Sequence, residues 1–382
     1  MLFTRLKFKN WRNFREADIS LSNRTFLIGA NASGKSNLME IFRFLRTLAQ
    51  TQGGGLQQAV QNCGGLSKLR SLHAKKDTEV RIEVDVVEAK GETAPTWRYV
   101  IAFKGEGKGQ NRIFLTEERV EHCGKILLVR PDTADRIDKD RLTQTHLEQI
   151  NNNVAFRQLA EYFADTTYLH LVPQLLKHPE ISGRTPESDP FGQGLLQQLA
   201  RTSKKTREAR LRRINDTLQK AVPLFSGLRF EQDAVTGQWH LEANFRHWRA
   251  QGAWQREDQF SDGTLRLIGL LWALQEGDGL LLLEEPELSL NDGIVTNIPL
   301  LIDRILRARK TERQVLVSTH SEALLGQVSD ASQVLLIEPG DNGSRVRGSS
   351  AEETRDIEAG LSPAEVLLPK TRPSALAQLG LF

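Results

Sequence analysis

Apolar and polar positions change rhythm several times along the chain. Arg5–Phe8 and Asp18–Leu21 are short β-prone stretches around a turn at Asn10–Asn13. Thr25-Phe26-Leu27-Ile28 is a compact apolar run that predicts a buried strand. After it, Leu38, Ile41, Phe42, Leu45 and Leu48 recur in the three- and four-residue steps of one helix face, and Gly53-Gly54-Gly55 closes that helix. Glu79–Val87 alternates, and Trp97–Phe103 and Arg112–Val120 do the same between Gly-rich breaks. Three such stretches predict an antiparallel sheet with one wet face.

From about Asp138 to Lys220 the texture is helical and polar. The strand-like Thr167–Val172 and a Pro/Gly-rich loop, Pro179–Gly194, interrupt it. Leu228–Phe230 and Trp239–Phe245 flank Thr236-Gly237, a hairpin signature. The chain then becomes a buried α/β sequence. Leu265–Leu274 and Ile298–Ala308 read as helices, and Leu280–Leu283, Gln314–Val317 and Val334–Ile337 as short buried strands. That alternation predicts an α/β fold with a mostly parallel sheet flanked by helices, beside the antiparallel β lobe and the helical insertion. Gly340–Phe382 begins polar and Gly/Ser-rich and ends on Val366, Leu367, Leu368, Leu376 and Leu379. No internal repeat and no sustained heptad runs through the sequence.

The junction between the first apolar strand and the first amphipathic helix carries chemistry. Gly29-Ala30-Asn31-Ala32-Ser33-Gly34-Lys35-Ser36 is a complete G-x-x-x-x-G-K-[ST] phosphate loop. Its glycines permit a backbone path that turns successive N–H groups toward phosphates. Lys35 supplies a cation for the β- and γ-phosphates, and Ser36 a hydroxyl for Mg²⁺. The helix beginning there, with Asn37 in its first turn, adds its dipole. ATP and Mg²⁺ are the expected ligands.

Composition narrows the setting without naming a role. Of 382 residues, 39% are hydrophobic and 7% aromatic, which suits a chain with a real core. Lys and Arg number 51 against 48 Asp and Glu, so a net charge of +3 predicts no all-over nucleic-acid coat and leaves room for a local patch. Two cysteines, Cys63 and Cys123, make neither a disulfide framework nor a metal pattern. No apolar run approaches the roughly 20 residues a bilayer requires. The opening M-L-F-T-R-L-K-F-K-N alternates apolar and basic residues and is not a signal peptide. The expectation is a soluble cytoplasmic protein with no membrane partner.

A second chemical cluster lies further on. Leu280-Leu281-Leu282-Leu283-Glu284-Glu285-Pro286 is a buried strand with two carboxylates at its C-terminal end, the ligand edge of an open α/β sheet. Glu284 is placed to hold Mg²⁺ or its water, and Glu285 to orient and deprotonate an attacking water. Ser261-Asp262-Gly263 precedes a helix, with Ser261 a good N-cap and Gly263 permitting close anion approach. His320 follows the strand Gln314–Val317 and stands where an imidazole can meet a γ-phosphate.

The order of these elements resembles the ABC-type ATPases, and more narrowly the stand-alone heads of the RecF/SMC/OLD-like branch (AAA_21-type, without a long coiled coil). In that resemblance Gly29–Ser36 is Walker A, and Leu280–Glu285 is Walker B with the catalytic glutamate. Ser261-Asp262-Gly263 is the signature, Ser289-Leu290-Asn291-Asp292 the D-loop and His320 the switch histidine. Asn10-Trp11-Arg12-Asn13-Phe14 looks like the strand–turn that opens such heads. The resemblance covers residues 1–340: a β lobe at about 1–25 and 79–130, a helical basic insertion at about 138–220, and the signature, Walker B and switch-histidine part at 228–340. Residues 341–382 form a tail suited to a partner.

Three departures matter. Asp262 stands where transporters usually have Gly, which argues against transport. Glu284 replaces the usual Asp. The Q-loop glutamine, expected to touch nucleotide and metal, is assigned to Gln174, with Gln58 and Gln61 as rivals. Ser36 and Ser261 are 225 residues apart, a gap filled here by something compact. Within it, Arg201–Lys220 holds eight basic and two acidic residues and offers a DNA or RNA backbone grip. The resemblance implies an ATP-dependent homodimer, each ATP held between Walker A of one copy and Ser261/Gly263 of the other. The expected role is a slow ATPase switch: the sensor of an anti-phage defence or mobile-element system with a separate nuclease-like effector from a neighbouring gene. The alternative is a RecF-like repair ATPase acting directly on DNA.

Overall fold

Strand β1 (Leu2–Trp11) turns through Arg12-Asn13 into β2 (Phe14–Ser20). The computed structural model describes residues 1–74, 76–92, 94–107, 112–178, 191–192, 194–247 and 253–371. β1 is longer than its apolar pattern suggests because it is paired on both edges, with β2 and with β4. β3 (Arg24–Gly29) leads to α1 (Lys35–Ala49), which buries the predicted face Leu38, Ile41, Phe42, Leu45 and Leu48. α2 (Leu56–Asn62) and α3 (Leu66–Leu69) follow. Then come β4 (Val80–Val87), β5 (Trp97–Gly105), β6 (Ile113–His122) and an additional β7 (Lys125–Arg130). These strands form an antiparallel sheet in the order β2-β1-β4-β5-β6-β7. Its polar face carries a cross-strand ladder in which Arg5 pairs with Asp18 at 2.6 Å and Glu83 at 3.0 Å, and Arg98 with Asp85 at 2.7 Å.

α4 (Thr133–Ile137) is pinned to that sheet by buried charge. The Arg130 guanidinium donates to both oxygens of Asp135 at 2.9 Å and to Glu118 at 3.0 Å. Glu118 also accepts backbone N–H bonds from His146 and Leu147, so the burial of three ionised groups is compensated by hydrogen bonds. α5 (Arg157–Ala164) and β8 (Thr167–Leu169) come next. The strand expected over Thr167–Val172 stops at Leu169, four residues before Pro173 opens a helix. Most of the Pro179–Gly194 loop, and Leu376 and Leu379 of the tail, lie outside the described residues.

The chain then builds α6 (Pro173–Lys177), α7 (Leu195–Arg201), α8 (Lys204–Ala221), β9 (Phe225–Gln232), β10 (Trp239–Phe245), β11 (Ala253–Arg256) and α9 (Asp262–Gln275). β12 (Leu281–Glu284), α10 (Asp292–Val295), α11 (Ile298–Arg307), β13 (Val315–Ser318) and α12 (Glu322–Leu325) follow. Last come β14 (Val334–Glu338), β15 (Arg345–Arg347), α13 (Ala351–Glu358) and α14 (Pro363–Leu367). The polar stretch after Gly340 is therefore more structured than its composition suggests. Two capping boxes, Ser350 with Glu353 and Ser362 with Glu365, start its helices.

The chain forms two units. The first comprises Met1–Thr167, Asp278–Leu282 and the chain from Arg309 onward; the second comprises Tyr168–Gly277 and Leu283–Ala308. The first unit contains the antiparallel sheet and a second sheet of order β15-β14-β3-β13-β12-β8, which the chain leaves midway along β8 and β12. β3 is parallel to both β13 and β14, as the buried apolar strands require. Phe3 packs on Phe42 and Phe163 with ring centroids 5.0 and 5.5 Å apart. The second unit has its own core, where Leu211, Ile214 and Leu218 of α8 meet Leu241, Ile268 and Trp272. Its three-stranded antiparallel sheet runs β11-β10-β9.

Candidate nucleotide site

In the first unit the phosphate loop leaves β3 at Gly29 and enters α1 at Lys35. A Cβ on Gly29 would lie 2.5 Å from the Ile337 carbonyl oxygen and 2.5 Å from Ser33 Oγ, so only glycine fits. Ala32 and Gly34 take positive φ, 62° and 117°. Gly34 is the N-cap of α1 and gives no side-chain hydrogen bond, and the first turn holds no acid. Lys35 is buried, and its ammonium donates to the carbonyls of Gly29 at 3.0 Å and Ala30 at 3.2 Å. Ser33 Oγ is buried without a hydrogen-bond partner. A glycine-lined cradle and a fifteen-residue helix whose N-terminus lacks a side-chain cap and an acid fit a polyphosphate.

The loop is held from behind. Asn13 Nδ2 donates to the Ser33 carbonyl at 2.6 Å and to Ser344 Oγ at 2.8 Å, and Ser344 Oγ donates to the same carbonyl at 2.6 Å. Asn37 Nδ2 donates to Asn13 Oδ1 at 2.8 Å, and Trp11 Nε1 to the Asn37 carbonyl at 2.8 Å. Sequence reasoning placed Asn13 in an opening turn and gave it no task. It had no means of finding Ser344, whose only sequence context is a Gly/Ser-rich stretch.

β13 runs parallel to β3 with Ser318 opposite Leu27, and Thr319 N donates to the Leu27 carbonyl at 3.1 Å. His320 therefore leaves the C-terminal end of the strand adjacent to the loop's own strand, and it is exposed. Of the two glutamine rivals in this unit, Gln58 donates to Asn62 Oδ1 at 2.7 Å, and Gln61 lies one turn further along the same helix, α2.

The remaining predicted residues belong to the second unit. Glu284 is the last residue of β12; its carboxylate accepts the Tyr168 hydroxyl, and His170 Nδ1 lies 3.4 Å from its carbonyl. Glu285 takes φ 44°, a left-handed conformation that redirects the chain immediately after the strand. Ser261 Oγ accepts the Thr264 N–H at 3.2 Å, capping α9 as its residue type predicts. A Cβ on Gly263 would meet the Ser289 carbonyl at 2.6 Å, so the signature turn packs tightly on the segment that follows Glu285.

Asp262 accepts Gln174 Nε2 and Lys177 Nζ, each at 2.7 Å. The Lys177 hydrogen bond holds the Asp262 carboxyl below its ordinary value. Lys177 had no place in the sequence reading, and Gln174 binds the signature aspartate. Arg266, one turn into α9, has a buried Nε without a hydrogen bond. Burial lowers its guanidinium pKa, against the opposing pull of Asp262 and Glu285.

The basic stretch Arg201–Lys220 divides into two kinds of residue. Arg207 lies 5.2 Å from the Phe230 ring centroid and 4.9 Å from that of Trp239, and Arg210 lies 5.0 Å from Trp272. Those two guanidinium groups pack the second unit's core. Arg201, Lys204, Lys205, Arg212, Arg213 and Lys220 are exposed. Among the described residues there is no cluster of three or more His, Cys, Asp or Glu side chains set to hold a metal, and no helix long and apolar enough to cross a membrane.

Residues 24–326 match the family described as "AAA domain, putative AbiEii toxin, Type IV TA system". An 87-residue stretch, 22% of the chain, is 31% identical to the DNA replication and repair protein RecF of Clavibacter sepedonicus and 29% identical to RecF of Synechocystis sp.. The match spans about a fifth of the length of these relatives, 21% and 23%. Among solved structures, an SMC head bound to the C-winged helix domain of ScpA superposes with a TM-score of 0.55 at 17% identity, covering 92% of this chain and 99% of that one. The α/β fold is thus that of an SMC-type head.

Proposed function

Because the chain belongs to this AAA-domain family and is an ABC-type ATPase of the RecF/SMC branch, we propose that it binds and hydrolyses ATP as a dimerising switch read by a separate partner. The observation that carries the proposal is the glycine-cradled N-terminus of α1, without side-chain cap or acid, above the buried Lys35. Gly29, Ala30, Asn31, Ala32, Ser33 and Gly34 present backbone to the phosphates. Lys35 exchanges its carbonyl contacts for phosphate oxygens, and Ser36 and Asn37 sit in the first helical turn.

The oxygen donor assigned to Mg²⁺ in the first unit is Ser36; in the second unit Glu284 keeps that assignment, with Gln174 as a further contact, and oxygen donors suit that hard cation. A bound Mg²⁺ would supply positive charge to offset the negative charge developing on the transferred phosphoryl group. Glu285 accepts a proton from the attacking water, and His320 hydrogen-bonds the γ-phosphate. Ser261 and Gly263 of a second copy complete the phosphate shell, so ATP favours a symmetric dimer and its hydrolysis loosens it. The left-handed backbone at Glu285 supports its catalytic assignment, since such conformations gather where chemistry fixes the geometry.

The test compares the wild-type chain with Glu285→Gln. ATP binding stays within about twofold while turnover falls by roughly 100-fold or more. Equal turnover in the two proteins would overturn the assignment.

The setting we favour is an anti-phage defence or mobile-element system in which a separate nuclease-like effector reads the dimer; the family description, with its toxin–antitoxin wording, supports it. The similarity to RecF favours a second reading, a DNA-repair ATPase. ATPase activity stimulated by DNA and falling steeply with salt would select the second reading over the first. The exposed cations of α8, rather than all eight basic residues of its segment, are then the contacts to neutralise.

A further inference from the structure

Within the second unit, α9 packs against α8 on one side and α11 on the other, and an open groove of about 620 Å³ lies among them. Its apolar lining is drawn from α9 (Leu267, Leu271), α10 (Ile294) and α11 (Leu301, Ile305). The charged residues of the lining are all exposed. Arg213 and Lys220 stand on α8 and Arg304 on α11, with Asp216 the single acid, for a net +2. Gln275 also lines the groove. Its amide donates to the Leu271 carbonyl at 3.0 Å, while its Oε1 is buried with no hydrogen-bond partner.

We infer that this groove docks an amphipathic helix of a partner protein, with an apolar stripe flanked by Asp and Glu. The α11 wall is ten residues, about 15 Å, long enough for roughly three turns of a bound helix. Apolar residues between two cationic edges match the pattern of helix-in-groove recognition, in which i, i+3, i+4 and i+7 anchors enter the groove and flanking charges select the partner. The occupant touches the helix that starts at Ser261 and the helices that follow Glu285. The inference rests on the preceding section only for the existence of a separate partner.

The experiment uses the full chain and fluorescence anisotropy with three labelled probes. One is a synthetic helix with Leu at the anchor positions and Glu on both flanks, the second the same helix with Lys flanks, and the third the chain's own segment 372–382. The Glu-flanked helix binds at least tenfold tighter than the Lys-flanked one. The double variant Arg213→Glu/Arg304→Glu reverses that order, and Leu301→Glu removes binding. The charge-reversed variant keeps its circular dichroism spectrum and its ATPase turnover measured without nucleic acid, which separates failure at the groove from failure of the ATPase assignment. Equal binding of the two helices, binding of none, an unchanged order in the double variant, or preference for the 372–382 segment (a second copy as occupant) would overturn the inference.

Discussion

The helix after the phosphate loop, α1, and the helix after Ser261, α9, are finished in opposite ways at their N-termini. α1 begins on Gly34, with no side-chain cap and no acid in its first turn. α9 begins on Ser261, which caps it, and Asp262 supplies the first-turn acid, itself held by Lys177 and Gln174. A helix N-terminus favours negative charge and needs acceptors for its first N–H groups. At α9 the chain supplies both; at α1 its side chains supply neither. The Ser261-Asp262-Gly263 turn is thus satisfied by side chains of its own unit, whereas the N-terminus of α1 has neither a side-chain cap nor an acid.

The largest effect on this contrast comes from Lys35→Ala. It removes the buried cation of α1's end and weakens ATP binding by about 100-fold, roughly 2.7 kcal/mol, as read by isothermal titration. Next is Gly34→Ala. A methyl group there would lie 2.4 Å from Asn13 Nδ2 at a φ of 117°. The strain costs about 1–3 kcal/mol in thermal unfolding, with ATP affinity falling in parallel. Smaller again is Ser344→Ala, which removes one of the two donors to the Ser33 carbonyl. Loss of about 1 kcal/mol of stability, with a severalfold weaker ATP Kd, is expected.

The smallest effect is that of Asp262→Asn, at the self-satisfied end. The pair with Lys177 is partly exposed, so its loss costs about 0.2–1 kcal/mol. Because the folded carboxyl titrates below its ordinary 3.8, its contribution is complete above that pH and disappears as pH falls further. The wild-type and Asp262→Asn melting curves should therefore differ near neutrality and converge in acid. A difference that persisted at pH 2 would break the comparison.

Those residues were unequally legible. Gly29–Ser36 could be read directly because backbone geometry and phosphate chemistry each restrict the residue type at fixed local spacing. Ser261 was legible for the same reason, since capping is local. The capping boxes at Ser350 and Ser362 were equally local, and composition concealed them: a Gly/Ser-rich passage reads as loop unless the Ser-x-x-Glu spacing is counted. The basic run of α8 misleads in the other direction. Charge counting cannot see that Arg207 and Arg210 lie over rings supplied by β9, β10 and α9. The Arg130–Asp135–Glu118 cluster and the Asn13–Ser344 brace depend on strand pairing and on contacts between distant parts of the chain, and no local pattern announces them.

The Asn13–Ser344 brace has a consequence for biosynthesis. Its two residues are separated by 331 positions. A ribosome that has released the phosphate loop must still synthesise most of the chain before the loop acquires its support. Contacts of such sequence separation close late, since the entropy of the intervening loop is spent before they are rewarded. The emerging chain therefore carries its phosphate-loop sequence long before that sequence has its braced shape, and the brace can close only once Ser344 has been synthesised.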